Sequence, residues 1–523
     1  MGGPASFDPL ALQVFASAVA MIAEEMGSVL ERGAISPNIR ERRDASAALF
    51  DADGRMVAQA AHIPVHLGAM PEAVRAVRAR APRPGDLFLL NDPYHGGSHL
   101  PDLTMVEAVA LDGRIAGFAA VRAHHADVGG MSPGSMPQGA TELVQEGLVV
   151  PPVRLATAGG DFDGELLALL LANVRTPAER LGDLRAQRAA CAAGAEGWRA
   201  LLTRDGERRV ADAVDALLDY TERRARAALA PMAGGSGQAR DALEGDGASE
   251  RDVAVVVRAT VADGGTLALD FAGTSGRVPG NVNCPLVVVR AAAVFVVRTL
   301  LPDDVPTNDG IARAVSLLAP DDCVVNARWP SAVAAGNVEM SQRITDTIFA
   351  ALARAGFDAP AQGQGTMNNV TFGGEGWTFY ETLGGGQGGS SRGTGPSAVH
   401  VGMSNTRNTP IEALERAYPI RIDEYRVRRG SGGAGRHPGG DGVVRRYRVL
   451  APCTVTLLTE RRRLAPAGAA GGAAGTPGRN LLNGRELPAK CQVSLAAGDV
   501  LTIETPGGGG WGAIGDAAGA AAG

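Results

Sequence analysis

Asp-Gly and Gly-Gly pairs flanked by apolar runs punctuate this chain, and each such pair is the signature of a β-hairpin. AALFDADGRMVAQ turns at Asp53-Gly54, LTMVEAVALDGRIAGFAAVRAHH at Asp112-Gly113, and VAVVVRATVADGGTLALDFAGTS at Gly264-Gly265. Strands joined this way pair antiparallel. One stretch breaks the pattern: from about Glu165 to Ala230 the spacing is helical, and Thr176-Pro177 with Glu179 reads as a capping box opening a helix. From about Arg421 the chain returns to strands and glycine turns. The fold class is therefore α+β, with several subdomains, mixed or antiparallel sheets, a central helical arm and a β-rich C-terminal part. The expected divisions are an α+β region over 1–160, the arm over 161–233, a second α+β region with a glycine-rich loop over 248–420, a β-rich region over 421–512, and a flexible tail over 513–523. The glycine-rich stretch 234–247 reads as a linker.

Charge and composition exclude several functions. Fifty Lys and Arg against 56 Asp and Glu leave a net charge of −6, so no basic field attracts nucleic acid or an anionic membrane. The chain holds one lysine, Lys490, so a Walker A loop is absent and a Schiff-base lysine is discounted. The run Arg461-Arg462-Arg463 reads as a solvated or partner-facing edge. Five scattered cysteines without a CxxC pair fit a reducing, cytoplasmic setting. The apolar stretch Leu10–Ile22 lacks the positive flank of a signal peptide and reads as an amphipathic helix. The run Pro285–Leu301 is interrupted by Arg290 and Arg298, which a membrane span tolerates poorly.

Histidine is scarce and clustered. Of eight, six (His62, His66, His95, His99, His124, His125) fall between positions 62 and 125, with Asp92, Asp102, Asp127 and Glu146 in or just beyond that window. Such clusters are the material of metal and acid–base sites. Asp102 precedes the outgoing strand of the second hairpin and His124 ends the returning one. A two-residue turn would pair Asp102 with Ala123 and send His124 to the other face. A three-residue loop Leu111–Gly113 with a bulge would set Asp102 opposite Arg122 and make His124 its diagonal neighbour; that register is expected. Pro101 forbids helix and bends His99 back to the same place. Two imidazoles and a carboxylate leave positions open and suit Mn, Fe, Zn or Co. His125 and Asp127 suit a general base and its orienter, while His62 and His66, in an extended segment at Pro64, together with Asp92 and His95 are supporting candidates. The glycine run 384–389 matches G-x-G-x-x-G but opens no helix, which rejects dinucleotide binding and leaves Gly385 and Gly386 as a candidate backbone nest.

Longer motifs carry a resemblance. NDPYHGGSHLPDLTMVEAV, RAHHADVGGMSPGSMP, ATELVQEGLVVPPVRL, GNVEMSQRITD, QGTMNNVTFGG, NTRNTPIEALE, GSGGAGRHPGGDGVVR, GRNLLNGRELPAK and ETPGGGGWG occur in order across roughly 8–512. The chain resembles the hydantoinase B/oxoprolinase family. The resemblance implies the B-type subunit of a hetero-oligomer that opens cyclic amides such as 5-oxoproline or hydantoins, with ATP used by a hydantoinase A-type partner. It also implies a divalent metal, manganese foremost, at His99, Asp102 and His124. The partner would phosphorylate the ring carbonyl oxygen, metal-bound water would attack, His125 or Glu146 would take the proton, and the glycine loop or Arg122 would hold the oxyanion. The alternatives are a subunit of an ATP-dependent acetone or acetophenone carboxylase and, in another class, a non-catalytic scaffold for the ATP-binding subunit.

Overall fold

The computed structural model describes residues 8–61 and 63–514. His62 and the tail beyond Ile514 lie outside the described residues. The chain opens with α1 (Pro9–Gly33), capped by the Asp8 carboxylate, which accepts from the Ala11 amide at 3.2 Å, and a short α2 (Pro37–Arg40). Six strands follow: β1 (Ala45–Asp51), β2 (Met56–Ala61), β3 (Leu87–Leu90), β4 (Asp102–Leu111), β5 (Arg114–His124) and β6 (Val153–Ala156). They form one sheet in the order β2-β1-β5-β4-β3-β6, with α3 (Met70–Arg78) inserted between β2 and β3. The pleat sorts side chains between two cores. Leu103, Met105, Ala119, Val121 and Ala123 face one side with α1 and the arm, whereas Val106, Ala108, Phe118 and Ala120 face α3 with Val74 and Val77.

The β4–β5 register differs from the expected one. The turn is two residues, Asp112-Gly113, both at positive φ (49° and 76°), and Leu111 pairs with Arg114. The ladder then shifts between Val109 and Ala110, and Asp102 lies directly opposite His124 rather than Arg122. Ala116 is the extra residue, and its carbonyl accepts from the Trp198 indole at 3.0 Å. The bulge supplies the single-residue shift that moves Asp102 and His124 onto one face.

The helical arm is α4 (Gly164–Ala172), α5 (Pro177–Asp205) and α6 (Glu207–Leu229). Thr176 does precede α5, but at φ 53° and ψ 57° its side chain makes no cap, so the expected capping box does not form. α1 packs along α5, and Gly194 and Gly197 allow the close approach because a Cβ at either would run into Met26 or Ile22. By length and composition α1 also meets the size of a membrane span; 33% of its most apolar window is buried in this fold.

A second sheet, ordered β10-β9-β8-β7, consists of β7 (Ser236–Leu243), β8 (Val253–Val261), β9 (Leu267–Asp270) and β10 (Val315–Leu318). β7 occupies most of the stretch expected to be a linker. Its alternating burial and its eight-residue antiparallel pairing with β8 make it structural. The apolar run at 285–301 is α7 (Leu286–Thr299), whose valines and alanines are buried against this sheet and α9 (Ser341–Arg354). A short α8 (Asp309–Ala312) and a single π-turn, Gly336–Met340, directly preceding α9, complete this region.

The C-terminal part interleaves two sheets: β11 (Asn369–Gly374), β12 (Trp377–Glu381), β15 (Cys453–Leu458) and β18 (Lys490–Leu495), and β13 (Ile420–Arg428), β14 (Gly442–Val449), β16 (Arg479–Leu482), β17 (Arg485–Leu487) and β19 (Val500–Glu504). A short helix, α10 (Ile411–Ala417), leads into β13. Phe372, Phe379, Tyr418 and Tyr447 fill the core between the sheets. Arg461 and Arg462 are not a solvated edge. Arg461 pairs with Asp241 at 2.8 Å and Asp346 at 2.9 Å, Arg462 is half-buried and donates to Asn480 at 2.8 Å, and Lys490 pairs with Glu460 in the same network; Arg463 is exposed.

Beside these sheets, extended glycine segments pack outside any ladder. Successive amides of Gly507, Gly508, Gly509 and Gly510 donate to carbonyls of four different neighbours, Thr476, Gly440, Gln362 and Ala473, at 2.8–3.1 Å. A Cβ at any of these four glycines would collide with a backbone carbonyl of yet another segment. Gly385 and Gly386 belong to this packing. Their amides are spent on Val399 (2.8 Å) and Pro506 (3.0 Å), so they form no anion-binding nest.

Candidate metal centre

The loop between β3 and β4 is built to present two side chains. Asn91 fastens it, donating to the Leu100 and Leu148 carbonyls and accepting from the Val150 amide at 2.7–2.9 Å. Asp92 accepts from the Tyr94 amide and from His95 at 2.6 Å; His95 itself points to solvent with a side chain 68% exposed, and reaches nothing further in. Gly97 is obligatory, since a Cβ there would overlap the Asn91 carbonyl. The Arg122 guanidinium, buried on β5, donates to the Gly96 carbonyl at 2.9 Å and to Thr104 at 2.7 Å, so it braces the loop from beneath. The segment then closes on itself at Pro101, where the Asp102 amide donates to the His99 carbonyl at 3.1 Å.

His99, Asp102 and His124 converge. One ligand atom from each lies within 4.8 Å of the others, and all three residues are buried. Bonds of about 2.1 Å to a shared ion imply ligand separations of roughly 3–4.2 Å, and the ring nitrogens of His99 and His124 nearest to Oδ1 of Asp102 lie 2.9 and 3.2 Å from it. The polar atoms of the set also fit. Nε2 of His99 lies 2.9 Å from Oδ1 of Asp102, but no ring nitrogen of His99 makes a hydrogen bond, and Nε2 of His124 is likewise buried without a partner. Buried, unpaired lone pairs are costly unless something fills the space between them.

The two oxygens of Asp102 are divided. Oδ1 faces His99 and, at 3.2 Å, Nδ1 of His124. Oδ2 accepts from Ser98 at 2.8 Å and faces Nε2 of His66 at 3.3 Å and Nδ2 of Asn337 at 3.5 Å. Burial alone would raise the Asp102 pKa, but His99, His66 and the hydrogen bond from His124 hold it well below the usual carboxylate range. Burial lowers the His124 pKa, which favours the neutral ring, against the opposing pull of Asp102 and Asp44. An ionised aspartate and a neutral imidazole are the protonation states a cation requires. The His124 ring stacks on Tyr380 at 4.6 Å, and Arg42 lies over the same tyrosine at 4.9 Å. The surrounding cavity, with about 10 Å³ of free volume, is walled by Asp44, Ile63, Val65, Met367 and Thr382 as well as these groups. That is room for a bare ion or one water. A larger cavity of about 480 Å³ lies over the arm between Phe162 and Arg188, away from the histidines.

His66 lies beside the centre, on a 3₁₀ turn, Pro64–His66, rather than on the expected extended chain; its Nδ1 meets Ser46 Oγ at 3.0 Å. His125, Asp127 and Glu146 are not brought to the cavity. Strand alternation turns His125 to the opposite face, where Nε2 contacts Gln187 of α5 at 2.9 Å and burial lowers its pKa to about 4. Asp127 is consumed locally by the amides of Gly129, Gly134 and Arg175 and by the Arg175 guanidinium. Glu146 accepts from the Val333 and Ala334 amides at 2.8–3.1 Å, and burial raises its pKa to about 8. The site residues that sequence reasoning missed are Asp44, Ser46, Ser98, Asn337 and Tyr380. Only Ser98 lies inside the histidine window; the others arrive from distant segments, and Asn337 from within the GNVEMSQRITD motif.

This is a buried His-x-x-Asp and histidine cluster on one face of an antiparallel sheet in an α+β protein, a donor set that could hold a divalent cation. The chain belongs to the hydantoinase B/oxoprolinase family, whose model matches residues 8–514. It is 36% identical to a 5-oxoprolinase of Dictyostelium discoideum over 97% of its own length but only 40% of that protein. A Pseudomonas protein named as the B-type subunit of a D-/L-hydantoinase is 30% identical, with 97% of this chain and 90% of that one covered. The ATP-dependent caprolactamase of Pseudomonas jessenii superposes with a TM-score of 0.88 at 27% identity, covering 97% of this chain and 92% of that one. An acetone carboxylase shares the fold, with a TM-score of 0.86 at 18% identity and coverage of 97% and 76%.

Proposed function

We propose that this chain is the B-type subunit of an ATP-dependent hydrolase that opens a cyclic amide, with a divalent cation held by His99, Asp102 and His124 and ATP used by an A-type partner. The observation that carries this reading is the buried trio with ligand nitrogens left unpaired around one carboxylate oxygen. The kinship with 5-oxoprolinases and a caprolactamase supports a lactam or imide ring as substrate. A relative named as one subunit of a hydantoinase, and 5-oxoprolinases of which this chain spans only 40%, support a partner that handles the nucleotide.

A cation in the trio would act as a Lewis acid, polarising a carbonyl oxygen or lowering the pKa of water. The chain's own residues prepare for that chemistry. Asp102 supplies the negative charge through Oδ1, while Tyr380 and Arg42 lock the His124 ring. Arg122 fixes the loop carrying Ser98 and His99, so it serves as a brace rather than as an oxyanion donor. Glu146 ties the Val333–Ala334 backbone to the first sheet region instead of receiving a proton at the reacting atoms. Proton transfer in this reading falls to His66 or Asp44, which share the cavity with the ligands. The test is co-purification with an A-type subunit and assay of ATP-dependent ring opening of 5-oxoproline, hydantoin and caprolactam, with acetone plus bicarbonate as the competing reaction. Ring opening that Asp102→Asn abolishes is the expected result. Carboxylation without hydrolysis, or full turnover by Asp102→Asn, would overturn it.

A further inference from the structure

We propose that Asn337 is a positioning residue for the cation: with Ser98 and His66 it occupies Oδ2 of Asp102, so that this carboxylate meets the ion through Oδ1 alone. The inference rests on reading His99, Asp102 and His124 as the metal ligands. A carboxylate facing a cation in a small cavity can grip it with one oxygen or with both, and the choice sets how many positions stay open for substrate. Here three donors converge on Oδ2, at 2.8, 3.3 and 3.5 Å, while Oδ1 alone looks toward the two imidazoles.

Asn337 is placed there by an unusual piece of backbone. It sits in the π-turn Gly336–Met340, where one extra residue is threaded into the start of α9. Inserting a residue rotates everything before it by about 100° relative to a continuous α-helix, so a regular helix would point this side chain elsewhere. The turn is held from several sides. Ser341 Oγ donates to the Asn337 carbonyl at 2.6 Å, and Oε1 of Glu339 accepts from the Met367 amide at 2.9 Å and from Asn369 at 2.7 Å. Gly336 packs so tightly on Asn283 that a Cβ would overlap its carbonyl. The Asn337 side chain is 2% exposed and lines the cavity. The reverse amide orientation would set an oxygen against Oδ2 of Asp102, so the donor must face the carboxylate. Ser98 and His66 belong to the region around the first sheet, whereas Asn337 comes from the second, so the site is complete only when both are docked.

The experiment is Mn²⁺ titration of the purified, chelator-stripped full chain by electron paramagnetic resonance, with the visible spectrum of the Co²⁺-loaded chain as second readout. Wild type, Asn337→Leu, Asn337→Asp and His99→Ala are compared. Asn337→Leu and Asn337→Asp keep the side-chain size while removing the donor. Each is expected to raise the Mn²⁺ Kd by about 10–100-fold and to alter the Co²⁺ bands as Oδ2 of Asp102 loses one of its three donors. Unchanged affinity and spectrum in either folded variant, alongside a wild type that binds one ion, would overturn the role of Asn337. Tighter binding by Asn337→Asp would overturn it as well, because the side chain would then be touching the ion. A wild type that binds no more Mn²⁺ than His99→Ala would sink the ligand reading itself, a result distinguishable from the others.

Discussion

Replacing Gly508 by alanine tests whether the glycine packing near the C-terminus holds this part of the molecule together. A methyl group there would lie well inside van der Waals contact of the Gln387 carbonyl, with the backbone of Gly388 close by. These are backbone atoms of a segment that is itself bonded to its neighbours, so no side-chain rotation relieves the clash. Overpacking of this kind costs about 1–3 kcal/mol. Moving the segment aside also strains the bonds from the Gly508 amide to Gly440 (2.9 Å) and from the Gly433 amide to the Gly508 carbonyl (2.8 Å). Each is worth about 1 kcal/mol, so the whole penalty is about 3–5 kcal/mol. At about 2–4 °C per kcal/mol for a unit of 150–250 residues, the melting transition of the affected part should fall by on the order of 10 °C. The matched control is Gly276→Ala, where a Cβ meets nothing within 4 Å; its melting should stay within about 2 °C of wild type. Differential scanning calorimetry of both variants decides the matter. If Gly508→Ala melts where the control does, the glycines are not packing partners and the argument fails.

Glu146 carries a pH signature. Its pKa is raised by burial to about 8 in the folded chain from an ordinary 4.5. Between those values the folded state therefore holds a proton that the unfolded state has released. Its contribution to stability falls as pH rises through that window, by up to about 1.4 kcal/mol per pH unit. Glu146→Gln should flatten this slope in denaturant titrations from pH 5 to 8, and an unchanged slope would contradict the assignment. Trp198→Phe removes the donor to the Ala116 bulge (3.0 Å) and should destabilise the chain by about 1–2 kcal/mol in chemical denaturation, with a weakened Mn²⁺ site as the register loosens. Lys490→Met leaves Glu460 with Arg343 at 3.3 Å and the Glu244 amide at 3.1 Å, and should cost about 3 kcal/mol, read from the same unfolding curves.

How much of this was legible in the sequence follows from the range of the interactions. The three hairpins, the helical stretch and the turn that brings His99 back to Asp102 rest on turn residues and side-chain alternation, which are local. The register was not legible, because the bulge at Ala116 is stabilised by a tryptophan 82 positions downstream. The placement of His66 against Ser46 and of Asn337 against Asp102 depends on tertiary docking across 20 and 235 positions. His125, Asp127 and Glu146 misled for the opposite reason: they are near in sequence, but the pleat at His125, the amides around Asp127 and the remote Val333 and Ala334 amides at Glu146 turn them to other tasks. The stretch 234–247 read as a linker because its glycines outweighed the alternation that makes β7 a strand.

The burial of Lys490 has a practical corollary. The chain's one ε-amine is 8% exposed and neutralised by a carboxylate between two packed regions. Acylating reagents applied to the native protein should therefore leave that side chain untouched. Modification at position 490 becomes a single-site chronometer of how often the surrounding layers part, readable by mass spectrometry with no competing lysine signal.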